Sequence, residues 1–287
     1  MNVDRSIGLL KAMTVTVSAC CMTALPALAQ STDLTTKSGN ELGVTVSNYK
    51  YTEPGLMEIK ATKIGFDYTG TYAFDSAWPN QSKGWFARAN VRFATGKANY
   101  SSGTSGSLNN RPDRYHEIRA VIGKDFQFGD YTLSPYAGLG YRKLFNDLRG
   151  VTTTGAAGYR RESKYTTLPV GVTHRMNLAN QAQLVTSAEY SFLLRGQQYS
   201  KFSDLVGFNG IIAAQDANNR QRSGYGLRLS MSYQVDQWAV GPYIDYWKIK
   251  QSDTVLVTRA VLGPVSLPVF EPANKTTEIG LKAVYRF

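Results

Sequence analysis

Residues 225–234 read YGLRLSMSYQ and place an apolar or aromatic side chain at every odd-numbered position. The even-numbered positions carry Gly, Arg, Ser, Ser and Gln. Successive side chains of a β-strand point to opposite faces, so this period of two predicts a strand with one apolar and one polar face. The last ten residues, 278–287 (EIGLKAVYRF), show the same alternation.

The alternation recurs along most of the chain and predicts ten strands. Short connections near 74–83, 129–130, 177–181 and 236–237 alternate with long ones near 100–112, 146–159, 196–221 and 251–274, the short turn at 52–55 being the exception. Short turns at one end and long loops at the other are typical of an outer-membrane barrel. The sequence therefore predicts an all-β fold: a closed antiparallel transmembrane β-barrel of about ten strands, with short periplasmic turns and longer extracellular loops. The predicted strands lie near 42–51, 57–74, 83–98, 113–128, 131–145, 160–176, 182–195, 222–235, 238–250 and 274–287.

Charged residues of both signs occupy mid-strand positions on the face opposite the apolar one. We expect them to line a polar lumen while the apolar face contacts lipid. A water-soluble β-sandwich with a solvated outer face explains any single strand equally well. It explains less well the ten long strands, the terminal Phe and the asymmetry of the connections. The predicted lumen residues are Lys63, Asp67, Arg88, Arg92, Glu117, Arg119, Arg142, Arg175, Glu189, Arg228, Asp245, Glu278, Lys282 and Arg286.

The N-terminus has the features of a secretory signal peptide. Basic residues at positions 5 and 11 flank an apolar run that ends in Ala27-Leu28-Ala29, which predicts cleavage between Ala29 and Gln30. A transmembrane anchor and a lipoprotein signal at Cys20 are the alternatives. Cleavage would remove both cysteines of the chain and leave no disulfide or thiolate chemistry. The predicted organisation is a signal peptide at 1–29, a short polar segment at 30–41 and a barrel at 42–287.

The composition of the 287-residue chain excludes several classes of protein. Aromatic residues make up 12% and hydrophobic residues 43%, which argues against disorder over the whole chain. The formal net charge is +11. The basic residues are spread over alternating strands and loops rather than clustered, so no nucleic-acid partner is predicted.

The chain ends in alternating hydrophobic residues followed by a terminal aromatic one. This ending resembles the C-terminal signature of bacterial outer-membrane β-barrels, and the resemblance implies recognition by the barrel assembly machinery through Tyr285 and Phe287. Residues 49–57 (YKYTEPGLM) and the Gly-aromatic strands look like small single-chain barrels of the opacity or surface-antigen type. The resemblance covers residues 42–287 and implies a location in the outer membrane of a Gram-negative bacterium.

The sequence contains few candidate catalytic residues. His116 and His174 alternate with predicted lipid-facing residues and lie on non-adjacent strands, so neither a metal site nor a cofactor is predicted. Omptin proteases, which are barrels of similar length, use loop-side Asp pairs and an Asp–His couple. The longest predicted loop contains Asp204 and Asp216 but no His, so the couple that would activate water is not visible. We therefore predict no catalytic residue.

The same longest loop contains an apolar stretch, LVGFNGIIAA at 205–214. Packing against the neighbouring segment 255–270 is the favoured interpretation. Folding over the barrel mouth and acting as an adhesive surface are the alternatives.

Outer-membrane lipid, lipopolysaccharide and the barrel assembly machinery are the expected partners, and a monomer is favoured. Basic side chains on predicted loops and rims suit anionic lipopolysaccharide, although plain solubilising charge explains them equally well. They are Arg111, Arg114, Arg160, Arg161, Arg195, Lys201, Arg220 and Arg222.

The predicted lumen set contains nine basic and five acidic side chains. Ten strands lie near the size at which side chains fill a barrel interior. We therefore expect a structural or surface-exposed barrel with at most a narrow pore that prefers anions. A dedicated, porin-like channel for small solutes is one alternative, and an outer-membrane enzyme such as an omptin-like protease is the other.

Overall fold

A computed structural model of the chain describes residues 33–74, 83–178 and 181–287. The predicted signal peptide and its cleavage point between Ala29 and Gln30 lie outside these residues. No helix among the described residues has the length and apolar character needed to cross a membrane.

The described residues form fifteen strands, ten of which build one barrel. The barrel strands are β1, β2, β3, β4, β6, β7, β8, β11, β12 and β15. A short 3-10 helix occupies Phe202–Leu205. The strands are β1 Gly39–Glu53, β2 Met57–Ala73, β3 Trp85–Ser102, β4 Gly106–Lys124, β5 Phe126–Phe128, β6 Tyr131–Val151, β7 Ala157–Asn177, β8 Gln183–Ser200, β9 Ala213–Ala214, β10 Ala217–Gln221, β11 Gly224–Val235, β12 Trp238–Ile249, β13 Thr254–Ala260, β14 Pro264–Phe270 and β15 Asn274–Arg286.

Each barrel strand pairs antiparallel with its neighbours along the chain, and the first and last strands close the ring. β1 pairs with β15 in a register that sets Thr45 opposite Lys282. β6, β7 and β8 complete the circle on the other side. Closure leaves no barrel edge with unpaired backbone groups, which is the condition for crossing a bilayer with strands. The predicted fold class, a closed antiparallel barrel of ten strands, is confirmed.

The two ends of the barrel differ. We call the end with the tight connections Gly129–Asp130 and Asp236–Gln237 the turn end. Gly129 and Asp236 have φ of +55° and +50°, the left-handed conformation that such turns require. We call the opposite end, with the long connections 201–223 and 250–273, the loop end.

Two of the predicted loops, 100–112 and 146–159, are mostly strand. β3 and β4 remain paired out to Ser102 and Gly106, and β6 and β7 remain paired out to Val151 and Ala157. Their Ser, Thr, Gly and Asn residues are typical of turns. Continued strand pairing nevertheless gives their backbone N–H and C=O groups hydrogen-bond partners that an open loop would not supply. Long irregular connections therefore occur at only two positions of the described loop end.

The apolar stretch 205–214 packs as the favoured interpretation predicted. β9 pairs with β13, which sets Ala213 opposite Ala260, and β13 pairs with β14. Ile211 is buried, and the N–H of Ile212 donates to the carbonyl of Ala260 at 2.9 Å. The stretch thus joins a small three-stranded sheet beyond the barrel.

Burial on the barrel is inverted relative to a water-soluble protein. Ile64 is 70% exposed and Leu139 is 60% exposed, while Lys63, Arg142 and Glu278 are at most 1% exposed. In water this arrangement would leave apolar surface hydrated and bury charge at high cost. A lipid environment around the outer face would remove the first penalty, and pairing inside the barrel offsets the second. The water-soluble sandwich is therefore not supported.

Candidate functional site

Eight charged residues form two rows across the inner face of the barrel. Residues directly opposite each other on antiparallel strands project to the same face. One row crosses β2, β3, β4 and β6, and the other crosses β8, β11, β12 and β15. We call these eight residues, together with Arg119, the central belt. The first row consists of Asp67, Arg92, Glu117 and Arg142, and the second of Glu189, Arg228, Asp245 and Glu278.

The two rows meet across the barrel interior. Arg92 Nη1 lies 2.5 Å from Asp245 Oδ2, and its Nη2 lies 3.1 Å from Glu278 Oε1. Arg228 Nη2 lies 2.9 Å from Glu117 Oε1, and its Nε lies 2.6 Å from Asp245 Oδ1. Each guanidinium therefore bridges carboxylates on different strands, and the bridges cross the space where a pore would run.

Two further arginines complete the central belt. Arg119 Nη1 lies 2.6 Å from Glu189 Oε2, and Arg142 Nη1 lies 3.2 Å from Glu117 Oε2. Glu117 thus receives three arginines, because Arg119 Nε also lies 3.3 Å from its Oε1. The belt sets four arginines against five carboxylates, and Lys282, at 2.7 Å from Asp67, supplies the fifth positive charge. Such local balance of charge is what buried ions require.

Glu278 is the most enclosed member of the belt, with no exposed surface. Its Oε1 accepts hydrogen bonds from Ser47 Oγ at 2.9 Å, Tyr115 OH at 2.9 Å and Tyr243 OH at 2.8 Å, in addition to Arg92. These donors come from β1, β4, β12 and β3, so one carboxylate links four strands through its hydrogen bonds.

A layer of aromatic and aliphatic side chains fills the interior between the central belt and the loop end. Lys63 lies within this layer, where its Nζ is 3.8 Å from the centre of the Tyr49 ring and pairs with Asp113. Side chains at most 7% exposed leave little free space at this level. The layer includes Tyr49, Ile59, Tyr115, Tyr165, Trp247 and Ile249.

The structure places all the predicted lumen residues on the inner face, at two levels of burial. The buried ones are Lys63, Asp67, Arg92, Glu117, Arg142, Arg175, Glu189, Asp245 and Glu278. The half-buried ones are Arg88, Arg119, Arg228, Lys282 and Arg286.

Three carboxylates that the prediction omitted also pair with residues of the predicted set. With them, nine basic side chains face eight acidic ones, so the basic excess falls from four to one. Asp113 and Asp125 were inside the predicted strand 113–128 but were not assigned to the lumen, and Glu41 was placed just before the predicted strand 42–51. The three are Asp113 beside Lys63, Asp125 at 3.6 Å from Arg175, and Glu41 at 2.8 Å from Arg286.

A buried cluster at the loop end was also missed. Arg161 Nη2 contacts Glu271 Oε1 and lies 2.6 Å from Glu53 Oε1, and Tyr51 OH lies 3.0 Å from both carboxylates. Burial raises the pKa of Glu271 to about 7, against the opposing charge of Arg161. The cluster forms part of the wall of a cavity of about 350 Å³ that opens among the loops.

The prediction that Arg161 lies on an exposed rim is therefore wrong. Its side chain is 7% exposed, whereas that of its neighbour Arg160 is 44% exposed and pairs with Asp204 at 2.6 Å. Arg161 was inside the predicted strand 160–176 and has the same parity on β7 as Arg175, a signal that would have assigned it to the interior.

The remaining candidate catalytic residues do not form a common site. His116 lies opposite Phe93 and Lys143 on the outer face, away from Glu117. Asp216 pairs with Lys201 at 3.1 Å. Within 33–74, 83–178 and 181–287, no three His, Cys, Asp or Glu residues lie close enough to hold a metal ion.

Comparison with solved structures finds the same fold among outer-membrane barrels. The outer membrane protease OmpT from Escherichia coli matches with a TM-score of 0.55 at 10% identity, over 87% of this chain and 96% of that one. The β domain of the Bordetella autotransporter BrkA covers 88% of this chain and 100% of its own length, with a TM-score of 0.44 at 9% identity. The Pseudomonas putida toluene transporter TodX covers 88% and 90%, with a TM-score of 0.36 at 12% identity.

No family model and no curated protein matches the chain. At 10% identity, the likeness to OmpT concerns the fold alone. The chain thus has the fold of a bacterial outer-membrane β-barrel, and the comparisons give no support to the narrower resemblance to opacity-type barrels.

Proposed function

We propose that this chain is an integral outer-membrane β-barrel with a closed interior, whose role is structural or is carried by its loop-end surface. The observation that supports the closed interior is the pair of bridges from Arg92 to Asp245 and from Arg228 to Glu117 across the lumen. The aromatic layer around Tyr115 adds a second obstruction nearer the loop end.

Export by the N-terminal signal peptide, assembly through Tyr285 and Phe287, and contact with lipopolysaccharide belong to the same proposal. Trp238 and Tyr285 lie with ring centres 5.0 Å apart at the turn end, where an aromatic belt would meet the membrane interface. Of the basic residues predicted to contact lipopolysaccharide, Arg220 is exposed beside the loops, while Arg161 is buried and is withdrawn from that role.

The near balance of charge bears on the expected anion preference. A lumen with nine basic and eight acidic residues, most of them paired within 3.3 Å, offers a mobile anion few free positive groups in the middle of the barrel. We therefore propose a barrel with at most a narrow, rarely open pore. The likeness to OmpT brings no catalytic group to this chain, and protease activity is not part of the proposal.

Single-channel recording in planar bilayers tests the closed interior. The purified chain should show a heat-modifiable band on gels, as folded barrels do, and no steady conductance. Steady anion-selective openings would contradict the proposal and favour the dedicated channel. If such openings occurred, Arg88→Glu with Arg92→Glu should reverse their selectivity, because both arginines lie on the inner face.

A further inference from the structure

Two adjoining cavities lie at the turn end of the barrel, on the far side of the central belt from the loops. Their volumes are about 380 Å³ and about 210 Å³. We call the space they enclose the turn-end vestibule. The side chains common to both walls are Glu41, Arg88, Arg175, Gln234 and Arg286.

Arg88 differs from the arginines of the central belt because it has no carboxylate partner. Among the described residues, no Asp or Glu oxygen lies within 4.0 Å of its guanidinium, which lies 5.1 Å from the centre of the Phe86 ring. Glu41 acts on Arg88 electrostatically from beyond that distance and pairs with Arg286 instead. Each arginine of the belt has a carboxylate within 3.2 Å. Since a half-buried guanidinium has lost part of its hydration, it is poised to accept an anionic partner.

Arg175 and Arg286 are only partly neutralised. Arg175 Nη1 donates to Ser134 Oγ at 2.8 Å, and its nearest carboxylate, Asp125, is 3.6 Å away. That carboxylate already accepts hydrogen bonds from Thr36 and Ser134. Arg286 pairs with Glu41 at 2.8 Å but remains 38% exposed. The wall common to both cavities therefore carries three arginines and one carboxylate, Glu41.

We propose that the turn-end vestibule binds a small oxyanion of the phosphate class, held by Arg88 together with Arg175 and Arg286. The planar guanidinium donates two parallel hydrogen bonds to such an anion, which a chloride ion cannot accept in the same way. A few hundred Å³ accommodates inorganic phosphate. Because the central belt closes the inner end of the vestibule, the anion enters and leaves at the turn end.

Isothermal titration calorimetry of the full chain in detergent, with inorganic phosphate in a low-chloride buffer at neutral pH, tests this site. Saturable binding is expected, with chloride competing weakly. Arg88→Ala should weaken binding at least tenfold, and Arg88→Lys should give an intermediate affinity because it keeps the charge but loses the bidentate geometry. Arg160→Ala removes an exposed arginine at the loop end and is the matched control, with unchanged affinity.

Glu41→Gln provides an opposite test that does not depend on the folding of an Arg88 variant. Removing this carboxylate frees Arg286 and reduces repulsion, so phosphate should bind several-fold more tightly. Equal affinity of the wild type, Arg88→Ala and Glu41→Gln, or an equal loss in Arg160→Ala, would overturn the proposal. The binding signal is independent of whether the barrel conducts, so its failure is distinguishable from failure of the closed interior.

Discussion

Arg92 and Asp245 are 153 positions apart in the chain, yet their side chains meet across the barrel interior at 2.5 Å. Arg92 is 4% exposed and Asp245 is 1% exposed. Neither residue has a charged neighbour on its own strand that could replace this contact. The pair therefore exists only because the sheet closes, and it makes the interior of the barrel a connected structure rather than a lined channel.

The first prediction concerns Arg92, which also pairs with Glu278 at 3.1 Å. Arg92→Met should lower the free energy of unfolding by about 3–5 kcal/mol, because it leaves Glu278 buried without its charged partner. Adding Glu278→Gln should recover part of the loss, since the unpaired charge is removed. Unfolding by urea in lipid vesicles, followed by tryptophan fluorescence, measures both. Arg160→Met breaks an exposed pair and should cost less than about 1 kcal/mol; equal losses in the two arginine variants would contradict the central belt.

The second prediction distinguishes surface that faces lipid from surface that faces water. Ile64→Arg should destabilise the barrel by about 2–4 kcal/mol, because a charge on the lipid face near mid-membrane is costly. Leu256 is 69% exposed, close to the 70% of Ile64, but lies in the small sheet beyond the barrel. Leu256→Arg should therefore change stability little. Similar effects of the two substitutions would mean that the outer face of the barrel does not contact lipid.

The third prediction is a pH dependence at the loop end. The pKa of Glu271 is raised by burial to about 7, so between pH 4.5 and pH 7 the folded chain binds more protons there than the unfolded chain. The free energy of unfolding should therefore fall as the pH rises through this window, by roughly 1–3 kcal/mol. Urea unfolding at a series of pH values measures the slope.

Glu271→Gln should flatten that slope, because it removes the titrating group. Asp204→Asn is the control. Hydrogen bonds from Arg160 hold the pKa of Asp204 below its usual value, so this carboxyl does not titrate between pH 5 and pH 8. A slope that survives in Glu271→Gln would assign the pH dependence to another group.

The fourth prediction separates folding from assembly. The Phe287 side chain is 60% exposed, and its strand contacts are made by its backbone, which exchanges two hydrogen bonds with Asn40 at 2.9 Å. Phe287→Ala should therefore change the stability of the refolded barrel by less than about 1 kcal/mol. In cells it should strongly reduce the amount of folded barrel in the outer membrane, measured by heat modifiability on gels. Phe126, exposed at the same end, is the control; an equal defect in Phe126→Ala would argue against a terminal signal.

Much of the fold could be predicted from the sequence because strand geometry is local. Lys63 and Ile64 are adjacent, and the period of two assigns them to opposite faces without knowledge of the rest of the chain. The failures occurred where local composition was ambiguous. At 100–112 and 146–159, residues typical of turns lie in paired strands. Whether such a segment forms a strand depends on pairing with its partner segment. The partner segments have the same turn-like composition, so the sequence does not predict the pairing.

Alternation within single segments was enough to predict ten barrel strands and the inner face for the fourteen predicted lumen residues, although Arg161, Asp113, Asp125 and Glu41 were not assigned to that face. Which charged side chains pair with each other is evident only from the tertiary structure. Arg92 pairs with Asp245, Arg161 pairs with Glu53 and Glu271, and Arg88 has no carboxylate within 4.0 Å in the part of the chain that the structure describes. These pairings depend on strand register and on the distance across the closed barrel. Both are set by backbone pairing around the whole barrel, so they cannot be predicted from the sequence of any single strand.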